Sequence, residues 1–461
     1  MLPRRFTKLM KVPLSALQTL HHIIFGYIDD FHLQGDTFQE CLNTVFQTVL
    51  LFDSLGFAIH PNKSRLIPSQ KIEFLGFVID SVHMVVTLTK DKKEKLKDMI
   101  KTTLQKETMT IRHVAHILGK LVSTFPASTY GPLYYRYLEK DKIAALKLSK
   151  GDYDQKMALG HKTRDDLYWS LNNIRNMYAP IQKKPITKQM TTDASKNKGW
   201  GAAMEEISIG GAWKATEFDL DINIKEMIAV YYSIRSFKDR LKNTHTRVLT
   251  DNTTAVAVIN KMGTTHNDHC NRIAQDIWTF CKKYDIWITC AHIPGVENVI
   301  ADFESRKEYK QAEWMLNKLL FHKICKKQNF YPNMDCFASR INTQMETYAS
   351  FQPDPYATCI DAFSFNWTCY KCYVFPPFSL IPRVLQKIRV DRATVLCVVP
   401  KWPTQTWWPF LRRMMTRKHL DIKPSKQNLI LPNHPQEIHP LHQKMHLIAC
   451  VLSGDTTNQK D

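Results

Sequence analysis

Apolar and polar positions alternate along this chain in two distinct rhythms. Ile23 to Ile28 is an apolar run that stops at two adjacent carboxylates, Asp29 and Asp30, with Gly35 just beyond, which predicts a hairpin with both acids at its tip. Three helices are predicted in the next stretch. Leu96, Met99, Ile100 and Leu104 recur at helical spacing among lysines, Ile111 to Pro126 repeats the pattern up to a proline, and Leu167, Leu171 and Ile174 mark the third. After Pro185 the rhythm changes. Residues 188–195, 199–205 and 208–214 read as consecutive strands with glycines at the turns, and residues 224–241 as a helix. A fourth strand at 247–251, helices at 252–262 and 270–286, and a fifth strand at 286–294 follow. The last third suggests a compact α/β unit, with strands near 372–375 and 394–399 and a helix at 381–388. Past Leu420 the chain turns polar and proline-rich, and Gly454 to Asp461 is expected to lack structure. The predicted class is multidomain α/β.

At 461 residues the chain exceeds one ordinary core, and its composition (44% hydrophobic, 23% charged) is that of a globular protein. Lys and Arg number 63 against 43 Asp and Glu, a net +20 that favours a polyanionic partner, nucleic acid first. No run approaches the length of a membrane span, and no partner membrane is expected. The 11 cysteines show no disulfide-like rhythm, and Cys369 and Cys372 have no second pair to complete a zinc site, so reduced thiols in the cytoplasm or nucleus are expected. Nothing in the sequence sets an oligomeric state.

Candidate chemistry concentrates in four carboxylates, Asp193, Glu226, Asp251 and Asp302, each closing a strand or lying within a helix. Acids at such places converge on one sheet edge, where they cannot all stay ionised without a cation; Mg²⁺ is the natural partner. Among alternative roles, one such acid alone would be a helix cap or turn residue. No Ser/His/Asp or Cys/His arrangement offers a protein nucleophile.

The order of elements in residues 183–308, with an acid on each expected one, resembles the ribonuclease H fold. By that resemblance Asp193, Glu226, Asp251 and Asp302 would hold two Mg²⁺ ions, with Mn²⁺ able to substitute. His292, on the loop AHIPGVEN, would transfer a proton or aid product release, steadied by Glu297 and Asn298. Asn252, Thr253 and Asn298 would contact nucleic acid, including 2′-hydroxyls. The implied reaction is hydrolysis of the RNA strand in an RNA–DNA hybrid.

Upstream, YIDD (Tyr27 to Asp30), HPNKS (His60 to Ser64) and FLGFVID (Phe74 to Asp80) resemble the late palm motifs of reverse transcriptases. That implies Asp29 and Asp30 as polymerase metal ligands and Tyr27 and Lys63 as contacts to RNA or DNA. Only 28 residues precede Asp29, so the palm is expected to be partial and not to polymerise unaided. The phrases TDNTTAVAVINKMG, AHIPGVENVIAD and FPPF extend the resemblance, to DIRS-like tyrosine-recombinase retrotransposon polyproteins. The expected organisation is a partial palm (1–88), a helical thumb and connection (89–182), a ribonuclease H-like domain (183–308) and a C-terminal accessory domain with a disordered tail (309–461). In that last part Trp402, Trp407 and Trp408 with Arg412 and Arg413 suggest either an aromatic core or a clamp on single-stranded nucleic acid.

Overall fold

The computed structural model describes residues 2–307, 314–434 and 436–455. The architecture is mixed α/β, and the chain divides into two compact units, Met1–Lys183 and Lys184–Asp461. No helix among the described residues is long and apolar enough to cross a membrane.

In the first unit, helix α1 (Leu2–Thr19) leads into the hairpin β1 (Ile23–Tyr27) and β2 (Asp30–Gln34), then α2 (Phe38–Ser54). The hairpin is the one the apolar run predicts, with Asp29 and Asp30 at the tip and Ile28 taking a positive φ of 57° to make the turn. Gly26 lets the side chains of α1 and β2 close over the strand: a Cβ there would fall 2.9 Å from Leu14 Cδ1 and 2.9 Å from Phe31 Cε1. Helix α2 begins at a capping box in which the Thr37 hydroxyl and the Glu40 carboxylate satisfy each other's backbone N–H groups. Strands β3 (Lys71–Phe74), β4 (Phe77–Asp80) and β5 (Val85–Leu88) follow, then α3 (Lys90–Leu104), β6 (Met109–Thr110), α4 (Ile111–Val122), α5 (Arg136–Leu148), β7 (Lys156–Met157) and α6 (His161–Asn173). Strand β8 (Tyr178–Pro180) closes the antiparallel sheet β3-β4-β5-β8. The helices share one core through Ile100, Val114, Ile117, Leu138 and Leu167. The stretch holds four helices where three were expected. Helix α5 escapes the pattern because its apolar stripe is short, with only Tyr137 and Leu138 buried.

The second unit opens with β9 (Ile186–Ala194), β10 (Gly199–Met204) and β11 (Ile207–Ala212). Helices α7 (Ile222–Ser236) and α8 (Lys238–Leu241) precede β12 (His245–Thr250); α9 (Thr253–Asn260) and α10 (Asp268–Lys283) precede β13 (Trp287–His292), and α11 (Val299–Arg306) ends the module. The sheet order is β11-β10-β9-β12-β13. Strands β9, β10 and β11 are antiparallel, while β12 runs parallel to both β9 and β13. That arrangement sends the ends of β9, β12 and β13 to the same edge.

Beyond it, β14 (Met315–Leu316) and α12 (Lys318–Lys327) lead to β15 (Met334–Asp335), β16 (Ala349–Ser350), β17 (Cys359–Ile360), β18 (Cys372–Val374), α13 (Ile381–Asp391), β19 (Thr394–Pro400), α14 (Trp408–Met414), β20 (Leu420–Ile422), β21 (Leu429–Ile430) and β22 (Leu447–Ser453). The second five-stranded sheet has the order β15-β18-β19-β22-β20. Its inner strand β22 corrects the expectation of a polar, proline-rich chain past Leu420: LIACVL is a buried run inserted between β19 and β20. Trp407 and Trp408 lie in the core of this region, which favours the core reading over a clamp. Gly454, placed in the expected tail, is packed, its N–H donating to the Ala393 carbonyl at 2.9 Å; residues 456–461 lie outside the described residues. All 11 cysteines are free thiols.

Candidate active site

Asp193 is the penultimate residue of β9, a strand whose last three residues are all buried. Glu226 sits in the second turn of α7, a helix started by Asp221, whose carboxylate accepts the Asn223 N–H. Asp251 is the first residue after β12. One ligand oxygen from each of these three carboxylates lies within 4.8 Å of the others, and no other such group of His, Cys, Asp and Glu occurs among the described residues. Asp193 and Glu226 are buried, 5% and 4% exposed, while Asp251 opens to solvent.

Burial in such company is electrostatically costly. Desolvation pushes the Glu226 carboxyl up to about 9, with the charges of Asp193 and Asp251 adding to it against hydrogen bonds from Ala194 and Thr250. Asp193 is raised as well, first by burial; the Ser305 hydroxyl, 2.5 Å from Oδ2, opposes the shift.

Asp302 lies in the first turn of α11, as expected, but its carboxylate is taken by Arg306 one turn on, with Nε–Oδ1 2.7 Å and Nη2–Oδ1 2.6 Å. It stands close enough to Asp193 to raise that group. The approach of α11 depends on a residue that motif reasoning passed over. Gly201 of β10 is the register partner of Asp193, and a Cβ there would meet the Ala301 carbonyl at 2.2 Å and the Ser305 N–H at 2.5 Å. Only a bare backbone lets α11 seat Ser305 against Asp193. The glycine inside a strand, GWG, was the available signal; Ser305, one turn after Asp302, shares its helix face.

His292 ends β13, exposed, and pairs in register with Thr250 next to Asp251. The loop after it passes over the site, since a Cβ on Gly295 would reach the Asp251 carboxylate at 3.1 Å. Asn298, expected at nucleic acid, is instead 1% exposed, and its amide donates to the Thr192 carbonyl at 2.9 Å. It fixes the strand beside Asp193, so solvent-side contact is closed to it. Asn252 is also committed: Oδ1 caps α9 by accepting the Ala255 N–H at 2.8 Å, and Nδ2 donates to Asn223 at 3.0 Å. Thr253 remains exposed. In the first unit, Tyr27, Asp29, Asp30 and Lys63 are all exposed, and the two acids have no third metal-ligating neighbour among the described residues.

No protein-family model matches the chain. Its sequence is similar to the enzymatic polyprotein of Cauliflower mosaic virus (strain Strasbourg), at 23% identity over 312 residues, 64% of this chain and 42% of that polyprotein. The enzymatic polyprotein of Figwort mosaic virus (strain DxS) is similar at 24% over 307 residues, 63% of this chain and 42% of that one. The chain therefore spans less than half the length of these curated relatives. Among solved structures, the foamy viral protease-reverse transcriptase in complex with an RNA/DNA hybrid aligns with TM-score 0.31 and 14% identity over 67% of this chain and 42% of its own. LC11-RNase H1 in complex with an RNA/DNA hybrid aligns with TM-score 0.22 and 16% identity over 26% of this chain and 93% of its own.

Proposed function

We propose that the Lys184–Asp461 unit houses a ribonuclease H-type nuclease that hydrolyses the RNA strand of an RNA–DNA hybrid, in a reverse transcriptase/ribonuclease H polyprotein of the DIRS-like retrotransposon kind. The observation that carries this reading is the convergence of Asp193, Glu226 and Asp251 from three elements, with ligand oxygens within 4.8 Å of one another.

The donor set fits a hard divalent cation: all three donors are carboxylate oxygens, and two of them, Asp193 and Glu226, are buried, with proton affinities raised first by that burial and then by their acidic neighbours. Asp193, Glu226 and Asp251 would hold the metal, with Asp302 released from Arg306 to join them. Two bound Mg²⁺ ions, or Mn²⁺, supply Lewis acidity toward the phosphodiester and activation of water. The chain's own residues do the rest. Ser305 and Asn298 keep the end of β9 in place, Thr250 steadies Glu226 from 3.4 Å, and Gly201 admits α11. The exposed imidazole of His292 can pass a proton at a ring nitrogen between the site and bulk water. The Thr253 hydroxyl is free on the substrate side, and the net charge of +20 draws the duplex in.

The test is metal removal and return. The chelated chain should leave a hybrid intact, and millimolar Mg²⁺ or Mn²⁺ should restore RNA cleavage, except in Asp193→Asn and Asp251→Asn. Binding of hybrid without cutting under any divalent cation would leave only a nucleic-acid-binding role.

A further inference from the structure

The helix that carries Glu226 is gripped from outside the ribonuclease H-like module. Tyr232 and Arg235 of α7 lie six and nine residues beyond Glu226, roughly 9 and 13 Å along the helix. Arg340, from the loop between β15 and β16, is 4% exposed and donates from Nη1 to both oxygens of Glu217 at 2.9 and 3.0 Å. Its Nη2 donates to the Ala212 carbonyl at the end of β11 at 2.6 Å. The Tyr232 hydroxyl donates to Glu217 at 2.5 Å, and the Arg340 guanidinium lies 4.5 Å from the Tyr232 ring centroid. The following loop, between β16 and β17, takes a second hold. Arg235 Nε donates to the Pro355 carbonyl at 2.8 Å, and its guanidinium sits 4.2 Å from the Tyr356 ring centroid. Asp354 ties the two holds together by accepting the Arg340 N–H at 2.9 Å and the Tyr348 hydroxyl.

We propose that the 335–356 segment is an intramolecular brace for α7, which makes Arg340 and Tyr356 positioning residues for Glu226. The role in the site rests on the nuclease reading above; the brace itself does not. The region after residue 314 is on this view part of the nuclease rather than an accessory to it. A buried ion pair is a poor source of net stability, because desolvating both charges offsets most of their attraction. What a forked guanidinium held by a carboxylate, a carbonyl and a tyrosine ring supplies is geometry, and here it fixes one helix against the end of β11.

The experiment uses the full chain and three variants, Arg340→Met, Glu217→Gln/Arg340→Met and Tyr356→Ala. The double variant guards against the simple failure of folding, because it removes both charges instead of stranding Glu217. Hydrogen exchange reads the brace without any cation. Amides of α7 should exchange about tenfold faster or more in all three variants, while those of α10 keep wild-type rates; wild-type exchange in α7 would overturn the brace. Calorimetric Mn²⁺ binding reads its consequence. Affinity should fall roughly tenfold or more in the double variant even where its thermal stability has recovered, as for residues that orient metal ligands. Wild-type Mn²⁺ affinity in that variant would overturn the positioning role. Failure of the wild-type chain itself to bind Mn²⁺ would count against the nuclease reading, and α7 exchange decides the brace separately.

Discussion

Substituting Gly201 by alanine puts the smallest possible change at the point on which the site's construction depends. The new Cβ would lie 2.2 Å from the Ala301 carbonyl oxygen and 2.5 Å from the Ser305 nitrogen, both backbone atoms, with Glu304 Cβ at 2.9 Å. Contacts at those distances must open by about 1 Å, and no flexible side chain can absorb the movement. Helix α11 must therefore lift from β10 or β10 must bend. Either shift takes the Ser305 hydroxyl out of reach of Asp193, now at 2.5 Å, and moves Asp302 with it. Overpacking of this kind costs about 1–3 kcal/mol, and the loss of the Ser305 bond to a buried carboxylate another 1–3 kcal/mol. The total is about 2–6 kcal/mol. A displacement of about 1 Å at reacting groups lowers a rate on the order of 100-fold. Urea unfolding and single-turnover cleavage of a labelled hybrid by Gly201→Ala measure the two quantities. Wild-type stability together with a wild-type rate would refute the argument that α11 is seated through Gly201.

Other expectations follow from the same structure. Gly119 lies inside α4 with nothing within 4 Å of an added Cβ, so Gly119→Ala should stabilise the first unit by about 0.5–1 kcal/mol in urea unfolding. Asp335 is 3% exposed, and burial raises its carboxyl to about 6 despite N–H groups from Gln344 and Phe337. The folded chain thus holds this proton more tightly than the unfolded one. The penalty is absent below about pH 4 and grows as pH rises to about 6, reaching at most about 3 kcal/mol. Asp335→Asn should flatten the fall of stability with pH across that window; an unchanged slope in chemical unfolding from pH 4 to 7 would contradict it. Asp302→Asn should keep more hybrid cleavage than Asp193→Asn, because Asp302 is half-exposed and already paired with Arg306, whereas Asp193 is buried among acids.

Elements with one clean period were legible in the sequence. The five strands of the sheet β11-β10-β9-β12-β13 fall where β-branched and apolar runs placed them, because short polar or glycine-containing turns separate those runs. Their acids came with them, since an Asp at a strand end keeps its address whatever packs around it. Helix α5 and strand β22 were not read: the apolar residues of one are mostly not buried, and the other sits in a segment whose surroundings are polar. Within the site, the motif gave the carboxylates but not their supports. Ser305, Gly201 and Thr250 act through distances that only the folded sheet creates, and the burial of Asn298 reverses the role its loop suggested. Arg340 is the extreme case, meeting Glu217 across 123 positions of sequence with no local pattern to announce it.

On the proposed function, the acids around Asp193 form a site for cutting RNA paired to DNA. The most direct test is a hybrid duplex labelled differently on each strand, incubated with the full chain and Mg²⁺ beside the Asp193→Asn variant. The wild-type protein should cleave the RNA strand alone, and the variant neither strand. An intact RNA strand with wild-type protein in millimolar Mg²⁺ or Mn²⁺, or equal cutting by both proteins, would contradict it.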